Sequence, residues 1–386
     1  MRHIALICAG ALVAPLDSAV NIAFPAITEA FAIVPRDIQW VVLAFVVSQS
    51  LASLVCGRLG DLHGHRVIFA AGMASCVVAH WAVAQAQDFA TLVALRVVQG
   101  IAVGMAVACA PALIAQSTAP GERPRMLALY AAAVSAGVII GPLAGGLLVE
   151  FFGWQGVFQF RMLLSLGVVV FIPFWLSPFG GRSARRTGLV MKPSIAWQVL
   201  RSRSFTALQI AAIAIYLATF SILLWVPFLL AQWSTLSIAA SGLVLTAFPM
   251  GSFAASLLAA RGPWPPGTEY STPLVRTGLA CAACGLAGAA VCATGASAIA
   301  LAATLFFCGV GLGCFQAGYM EQTMRWLPAD NGGIAGSLVT ATRLLGLVAG
   351  APILSALGTF SGIASALGAS SALLAVSAIV YRPTVR

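Results

Sequence analysis

Twelve long runs of apolar residues, separated by short polar stretches, set the pattern of this chain. The runs are continuously apolar rather than alternating, and each is longer than the roughly 10 residues of a membrane-spanning strand. About 20 consecutive apolar residues form a helix long enough to cross a bilayer. The pattern predicts twelve membrane-spanning helices, near residues 4–27, 38–57, 67–87, 89–118, 126–149, 156–177, 205–230, 237–260, 274–294, 297–319, 333–356 and 360–380.

The longest polar stretch follows the sixth run and divides the pattern into two similar halves. Six runs on each side of a basic connection indicate an internal duplication. We therefore predict an all-α polytopic membrane protein with a six-helix bundle at 1–178, a basic cytoplasmic linker at 179–204 and a second six-helix bundle at 205–386.

The composition points to lipid as the solvent. Hydrophobic residues make up 61% of the chain and charged residues 8%, whereas soluble proteins carry about 25% charged residues. The net charge of +10 would suggest nucleic acid on a soluble domain, but the basic residues here fall between apolar runs. With both termini cytoplasmic, 16 of the 20 basic residues lie on the cytoplasmic side, as the positive-inside rule requires. We expect a multi-pass protein of the inner or plasma membrane, and no nucleic-acid partner.

The nine cysteines lie inside or at the ends of apolar runs. That distribution is typical of small packing residues, and it does not resemble a secreted disulfide framework or the ligand spacing of a zinc site. We expect no metal and no cofactor.

Three charged residues, Asp17, Arg96 and Arg343, fall well inside predicted spans, whereas Arg161 lies near the outer end of span six and Arg276 near the cytoplasmic end of span nine. A charge at mid-membrane costs about 2.5–3.5 kcal/mol on insertion scales, so each needs a reason. At 1.5 Å per residue, Asp17 lies roughly 15 Å from the outer end of its span at Ile27, and Arg96 roughly 10 Å from the outer end of its own at Phe89. Within the uncertainty of the span ends, these depths allow Asp17 and Arg96 to share a level.

Polar residues extend the faces that carry these two charges. Asn21 lies one turn beyond Asp17, and Gln99 lies one turn beyond Arg96. Two interpretations remain open from the residues alone. Either Asp17 takes up and releases a proton under the influence of Arg96, or the two form a fixed ion pair that only joins two helices.

Three residues of the second half are further candidates for lining a substrate cavity. Arg343 is suited equally to a structural role and to substrate contact. Gln316 is the main polar residue of span ten, and Trp225 offers an aromatic surface in span seven.

The loop after span two reads G-R-L-G-D-L-H-G-H-R from Gly57 to Arg66. It resembles the G-x-L-x-D-x-x-G-x-R signature of the major facilitator superfamily, with Asp61 and Gly64 at their expected places. In that family the loop acts as a cytoplasmic gate latch. The resemblance implies that Asp61 bonds helix-end amides or nearby arginines, and His65 at a commonly basic position implies a weaker or pH-sensitive latch.

Span five carries the glycines Gly137, Gly141, Gly145 and Gly146 with Pro142. It resembles the G-x-x-x-G-P-x-x-G-G signature of the drug:proton antiporters in that superfamily. Glycines every four residues leave one helix face without side chains, so another backbone can approach closely. Pro142 favours a kink. The pattern fits ordinary helix packing, or a bend whose packing changes during transport.

Two further stretches narrow the resemblance. Arg96 begins R-V-V-Q-G-I-A-V-G, which is similar to the family's R-x-x-Q-G-x-x-x-G motif, whose arginine is implicated in proton handling. Asp17 stands in L-D-S-A-V-N-I-A-F-P, which looks like an element of the multidrug efflux branch that is usually built with fourteen helices, where this chain has about twelve.

The resemblance implies a proton-coupled antiporter that exports small amphipathic or drug-like compounds by alternating access. A proton gradient would supply the energy, the small molecule, protons and the bilayer would be the partners, and a monomer is expected. A metabolite or sugar carrier is the alternative within transport, and a membrane enzyme or channel is a further one. We expect no enzymatic activity, since no nucleophile or metal cluster accompanies Asp17.

Overall fold

The computed structural model describes residues 2–119, 122–175, 202–233, 236–261, 271–295, 297–326 and 332–381. The predicted linker 179–204 lies outside the described residues except for 202–204. The α-helices of the described part are α1 Arg2–Ala11, α2 Phe24–Ala30, α3 Gln39–His63, α4 His65–Ala84, α5 Phe89–Gln116, α6 Arg123–Trp175, α7 Arg203–Ala231, α8 Ile238–Arg261, α9 Ser271–Cys292, α10 Ala298–Trp326, α11 Gly332–Ser361 and α12 Ile363–Val380. Two 3-10 helices, Pro15–Ala23 and Pro35–Ile38, accompany them.

Ten stretches of the described chain are helical, long and apolar enough to cross a membrane. One of them, Arg125–Trp175, has about twice the length of a span and contains both the fifth and the sixth predicted spans. The predicted eleventh span corresponds to a shorter apolar stretch, Ala341–Ala356, within α11. All twelve predicted spans thus fall on helices, and the prediction of a polytopic all-α protein is confirmed.

The helices gather into two compact units, Met1–Thr187 with Ser234–Leu243, and Gly188–Trp233 with Val244–Arg386. In the first unit α5 packs against α3 and α4, and α6 packs against α4 and the segment Pro15–Ala23. In the second unit α9 packs against α10 and α12, and α7 packs against α11 and α12.

Local chemistry explains where several helices begin and end. Gly64 separates α3 from α4 with φ 96° and ψ 126°, a backbone conformation that favours glycine because it lacks a Cβ. Asp88 caps α5, since its carboxylate accepts hydrogen bonds from the Thr91 amide at 2.8 Å and the Thr91 hydroxyl at 2.6 Å. These two bonds lower the pKa of Asp88 from its ordinary value.

The long helix α6 breaks at Gly153, where φ is 68° and ψ is −176°. The break falls between the fifth and sixth predicted spans. Gly153 carries the only non-helical dihedral angles within α6, and Pro142 lies inside the helix well before that break. The sixth membrane helix therefore begins at about residue 154.

Candidate functional site

The segment Pro15–Ala23 carries Asp17 and is wound as a 3-10 helix. Its tighter winding changes which carbonyls are used. The Asp17 amide donates to the Ala14 carbonyl at 3.0 Å instead of to the Val13 carbonyl four residues back. In an α-helix the Val13 oxygen would accept that bond, so the 3-10 winding leaves it available to a side chain.

Arg96 reaches Asp17 from α5. Its Nη1 and Nη2 donate to the two carboxylate oxygens of Asp17 at 2.7 Å and 2.8 Å, which is the bidentate geometry that favours Arg–carboxylate pairs. Its Nε donates to the Val41 carbonyl of α3 at 3.0 Å. Gly100 and Gly104, one and two turns along from Arg96, lie against the α3 backbone, so α5 approaches α3 closely enough for this bond.

Arg161 completes the cluster, and sequence reasoning missed it. Its Nη1 donates to Asp17 Oδ1 at 2.5 Å, and its Nη2 donates to the Val13 carbonyl at 2.8 Å. The sequence predicts Arg161 near the outer end of span six, whereas α6 resumes immediately after Gly153 and Arg161 reaches Asp17. Arg161 follows Gly153 by eight residues, about 12 Å along a helix, which is close to the depths of Asp17 and Arg96.

The cluster of Asp17, Arg96 and Arg161 holds two guanidinium groups and one carboxylate. Both arginine side chains are 1% exposed, whereas the Asp17 side chain is 16% exposed. The Phe45 ring covers the Arg96 guanidinium at 4.3 Å, and the Arg161 guanidinium lies 5.7 Å from the same ring. These ring faces help compensate the buried positive charge, while the carboxylate is the member that remains within reach of water.

The glycine face of α6 packs against the Asp17 segment. A Cβ on Gly137 would lie 2.8 Å from Pro15 Cγ, and one on Gly145 would lie 2.6 Å from the Ala19 carbonyl oxygen. Gly141 faces Ser18 in the same way. The face predicted to lack side chains therefore receives the backbone that carries the candidate proton-coupling residue.

The other end of this motif also makes close backbone contact. A Cβ on Gly146 would lie 2.8 Å from the Ile238 carbonyl oxygen, at the start of α8. Gly242, one turn further along α8, lies against the backbone of Pro142. The motif thus packs against two segments within the first unit.

The polar neighbours predicted beside Asp17 and Arg96 have different surroundings. Gln99 is fully buried, and its Oε1 accepts a hydrogen bond from Arg96 Nη1 at 2.7 Å. Asn21 is half-buried. Gln99 therefore helps to hold Arg96 in place.

The candidates from the second half belong to the second unit. Trp225 is buried, and its Nε1 donates to the Leu354 carbonyl at 2.9 Å. That bond places Trp225 in the packing between α7 and α11, which corrects its prediction as a cavity residue. Gln316 is half-buried, Arg343 is exposed, and both interact with Tyr216.

The predicted gate motif lies at the α3–α4 connection. Asp61 is exposed, and its Oδ1 lies 3.1 Å from Nε2 of the buried His65. In the described part of the chain the partner of the Asp61 carboxylate is thus His65, where a nearby arginine was expected. Gly57 lies within α3 with open space around it, and Arg66 is half-buried in the first turn of α4.

No group of three His, Cys, Asp or Glu side chains able to hold a metal ion occurs among the described residues. All nine cysteines are described, and none forms a disulfide. The Asp17 cluster brings one carboxylate, whose side chain is 16% exposed, together with two buried guanidinium groups.

Comparison with known proteins gives the family. The Major Facilitator Superfamily model matches residues 6–320. The tetracenomycin C resistance and export protein of Streptomyces glaucescens is 27% identical over 227 residues, which are 54% of this chain and 42% of that protein. The riboflavin transporter RibZ of Clostridioides difficile is 22% identical over 89% of this chain and 85% of its own length. The region matched to the first of these spans under half of that relative's length.

Solved structures agree on the fold. A bacterial homologue of the human lysosomal transporter Spinster has a TM-score of 0.77 at 13% identity, covering 98% of this chain and 95% of the other. The xylose transporter XylE from E. coli has a TM-score of 0.71 at 14% identity, covering 98% and 96%. With the family model matched over most of its length and the fold shared with solved transporters, the chain belongs to the Major Facilitator Superfamily.

Proposed function

We propose that this protein is a proton-coupled antiporter that exports small organic compounds and that Asp17 is its proton-coupling residue. The observation that carries the proposal is the sharing of the Asp17 carboxylate between Arg96 and Arg161, at 2.5–2.8 Å, within a membrane-spanning segment. Ionisable residues inside membrane spans commonly mark ion and proton pathways.

Protonation of Asp17 changes the charge of the cluster from +1 to +2 by the formal charges of its three side chains. A neutral carboxyl group no longer balances either guanidinium, so the arginines lose their strongest partner. The Pro15–Ala23 segment is then held to α5 and α6 less tightly. A proton therefore shifts the balance between two packings of this segment, which is what coupling to alternating access requires.

Small organic compounds are the proposed substrates because of the relatives. Tetracenomycin C appears in the name of one, and methylenomycin A in that of a Bacillus subtilis protein 31% identical over 46% of this chain. The buried, largely apolar helices suit compounds with apolar surface.

The proposal is tested in proteoliposomes with an imposed pH gradient, using tetracenomycin C and riboflavin as trial substrates. Wild-type protein is expected to accumulate a substrate in vesicles with an acidic lumen, and Asp17→Asn is expected to lose accumulation. Asp37→Asn is the matched control, because Asp37 is exposed and pairs with the exposed Arg36. Gradient-driven accumulation that persists in Asp17→Asn would remove Asp17 as the coupling residue.

Substrate exchange without a gradient separates coupling from folding. Asp17→Asn that still exchanges labelled for unlabelled substrate across the membrane has folded and binds, so its loss of accumulation is a loss of coupling. Loss of exchange as well would assign Asp17 a structural role.

A metabolite carrier is the second candidate, favoured by the similarity to the riboflavin transporter over 89% of this chain. It predicts riboflavin exchange that proceeds equally well at any pH gradient. The same vesicles, scored with riboflavin alone, distinguish the two functions.

A further inference from the structure

Six polar side chains line the meeting of α7, α10 and α11 in the second unit, and we call this set the polar seam. Its members are Gln209, Tyr216, Gln316, Tyr319, Thr342 and Arg343. Helix α10 packs extensively against α9 but only sparsely against α7 and α11. The hydrogen bond from Tyr319 to Gln209 is one direct link between α10 and α7.

Gln209 is the centre of the inner layer of the polar seam. Its Oε1 accepts hydrogen bonds from the Tyr319 hydroxyl at 2.7 Å and from the Thr342 hydroxyl at 2.8 Å. Two hydroxyl donors on one oxygen fix the orientation of the amide. Its Nε2 is buried and has no hydrogen-bond partner among the described residues. An acceptor supplied by a ligand would therefore remove the cost of this unsatisfied donor.

The second layer is centred on Tyr216, whose hydroxyl forms a hydrogen bond with the Gln316 side chain and interacts with the charge of Arg343. Gly346 explains how α11 approaches α7 here, since a Cβ on it would lie 2.8 Å from both Tyr216 Cβ and the Ile213 carbonyl oxygen. Close approach of the two backbones places Arg343, three residues before Gly346, beside Tyr216.

Arg343 is exposed although it lies inside the apolar stretch Ala341–Ala356. An arginine facing hydrocarbon at this depth is costly, so its exposed face belongs to water or to a ligand. The polar seam presents three hydrogen-bond donors, namely the Arg343 guanidinium, the Gln209 amide N–H and the Tyr216 hydroxyl. Together they carry one positive charge. Such a set selects a ligand with acceptor oxygens and negative charge.

We propose that the polar seam is the substrate-recognition site of the second unit and that it binds the carboxylate of a small organic acid, with Arg343 supplying the charge. The inference deepens the proposed function, because it names the substrate chemistry of the same transporter. The proton site and the polar seam lie in different units, so each is testable without the other.

The experiment compares binding of 1-naphthoate and 1-naphthamide, two probes of nearly the same size that differ in charge. Purified full-length protein is placed in phosphatidylcholine nanodiscs, where no anionic lipid headgroup competes, and equilibrium binding is measured without a pH gradient. Wild type is expected to bind the acid at least about tenfold more tightly than the amide. Loss of one hydrogen bond to a charged group changes the dissociation constant by about that factor.

Arg343→Gln is expected to reduce that preference to about twofold or less, while Arg343→Lys retains a clear preference because it keeps the charge. Gln209→Glu is a second variant of nearly unchanged shape. Its carboxylate still accepts the two hydroxyls but repels the acid, so acid binding is expected to fall while amide binding is kept. Arg276→Gln is the matched control, because Arg276 is exposed on α9 outside the polar seam and the variant loses the same charge. It is expected to leave the preference for the acid over the amide unchanged.

Equal binding of acid and amide by wild type, or no binding of the acid, would overturn the proposal. A preference for the acid that survives Arg343→Gln, or one that disappears in Arg276→Gln, would overturn it as well. Adding phosphatidylglycerol to the nanodiscs separates a second source of anion: if the headgroup abolishes acid binding at equal concentration, the polar seam is a lipid site. Accumulation that persists in Asp17→Asn, which would contradict the proposed proton coupling, leaves all of these binding outcomes unchanged.

Discussion

Two guanidinium groups share the Asp17 carboxylate, and they hold it in different ways. Arg96 binds both carboxylate oxygens, whereas Arg161 binds one of them and the Val13 carbonyl. Arg161 thereby joins the side chain of Asp17 to the backbone that precedes it. Loss of the carboxylate charge affects both arginines at once, so the three side chains should behave as one energetic unit.

A double-mutant cycle on Asp17→Asn and Arg161→Gln tests this unit. Asp17→Asn leaves two buried cations unbalanced and is expected to cost about 3–5 kcal/mol. Arg161→Gln is expected to cost less, about 1–3 kcal/mol, because Arg96 still pairs with Asp17. The double variant should be more stable than the sum predicts by about 1 kcal/mol or more, measured as the free energy of unfolding in detergent.

The exposed pair Arg36–Asp37, with side chains 52% and 37% exposed, is the control for that cycle. Its own cycle should give about 0–1 kcal/mol, as exposed ion pairs do. Strict additivity at Asp17 and Arg161 would mean that each side chain is held by its other neighbours.

Residue-level prediction succeeded where depth could be counted from a clear span end. The depths counted from Ile27 and Phe89 allow Asp17 and Arg96 to share a level, and the structure pairs them. The contact of Arg161 with Asp17 was not predicted, because hydropathy places the start of span six near residue 156. It does not reveal that the helix resumes directly after Gly153. A glycine followed by an unbroken apolar run was the available signal.

At the level of elements, the glycine spacing of α6 fixes how closely the Asp17 segment approaches. Gly137, Gly141 and Gly145 each face part of Pro15–Ala19, and at Gly145 the nearest atoms are the carbonyl oxygen and Cα of Ala19. Because main-chain atoms cannot move aside as a side-chain tip can, even one methyl group should separate the two elements.

Gly145→Ala is therefore expected to destabilise the protein by about 1–3 kcal/mol and to slow transport. Gly167→Ala, in the same helix run but with nothing within 4 Å of its added methyl group, is the matched control. It should be neutral or stabilising by up to about 1 kcal/mol, because alanine favours helix. Thermal unfolding of the two purified variants gives the comparison, and equal melting temperatures would show that the contact at Ala19 is loose.

Element types and contacts differ in how far sequence could predict them. The side-chain-free face of span five follows directly from residue identity and helical period. The 3-10 winding of Pro15–Ala23 was not predicted, since local propensities barely separate it from an α-helix. Pro15 and Pro25, which bracket it, were the only local sign. The break in helical dihedral angles within α6 falls at Gly153, which hydropathy places only as the gap between two spans.

On the scale of the whole molecule, the twelve apolar runs settle the class of fold, because lipid leaves few ways to satisfy a backbone. Gln316 and Arg343 of the polar seam are candidates from the sequence, but their grouping with the other four members is not predicted by it. Gln209 and Thr342 are single polar residues in apolar helices, and only their placement in space shows that one oxygen serves both Tyr319 and Thr342.

The arginine distribution predicts that both termini are cytoplasmic. A green fluorescent protein fused after Arg386 should fluoresce in E. coli, and alkaline phosphatase at the same point should be inactive. The opposite pattern is expected for alkaline phosphatase inserted beside Arg36, in the short connection after α2. An active phosphatase at the C-terminus would show the reverse orientation. The depth counted from Ile27 to Asp17 would then be measured from the cytoplasmic surface.

The 3-10 winding of Pro15–Ala23 also means that conversion of this segment to an α-helix would change both its length and its rotation. Nine residues extend about 18 Å as a 3-10 helix and about 13.5 Å as an α-helix, so rewinding would shorten the segment by about 4.5 Å and turn one end by about half a turn against the other. Rewinding would also return the Val13 carbonyl to the Asp17 amide and take it from Arg161. A change of pitch alone would thus move the carboxylate along and around the first membrane helix, and it would draw the two ends of the segment together and rotate one against the other.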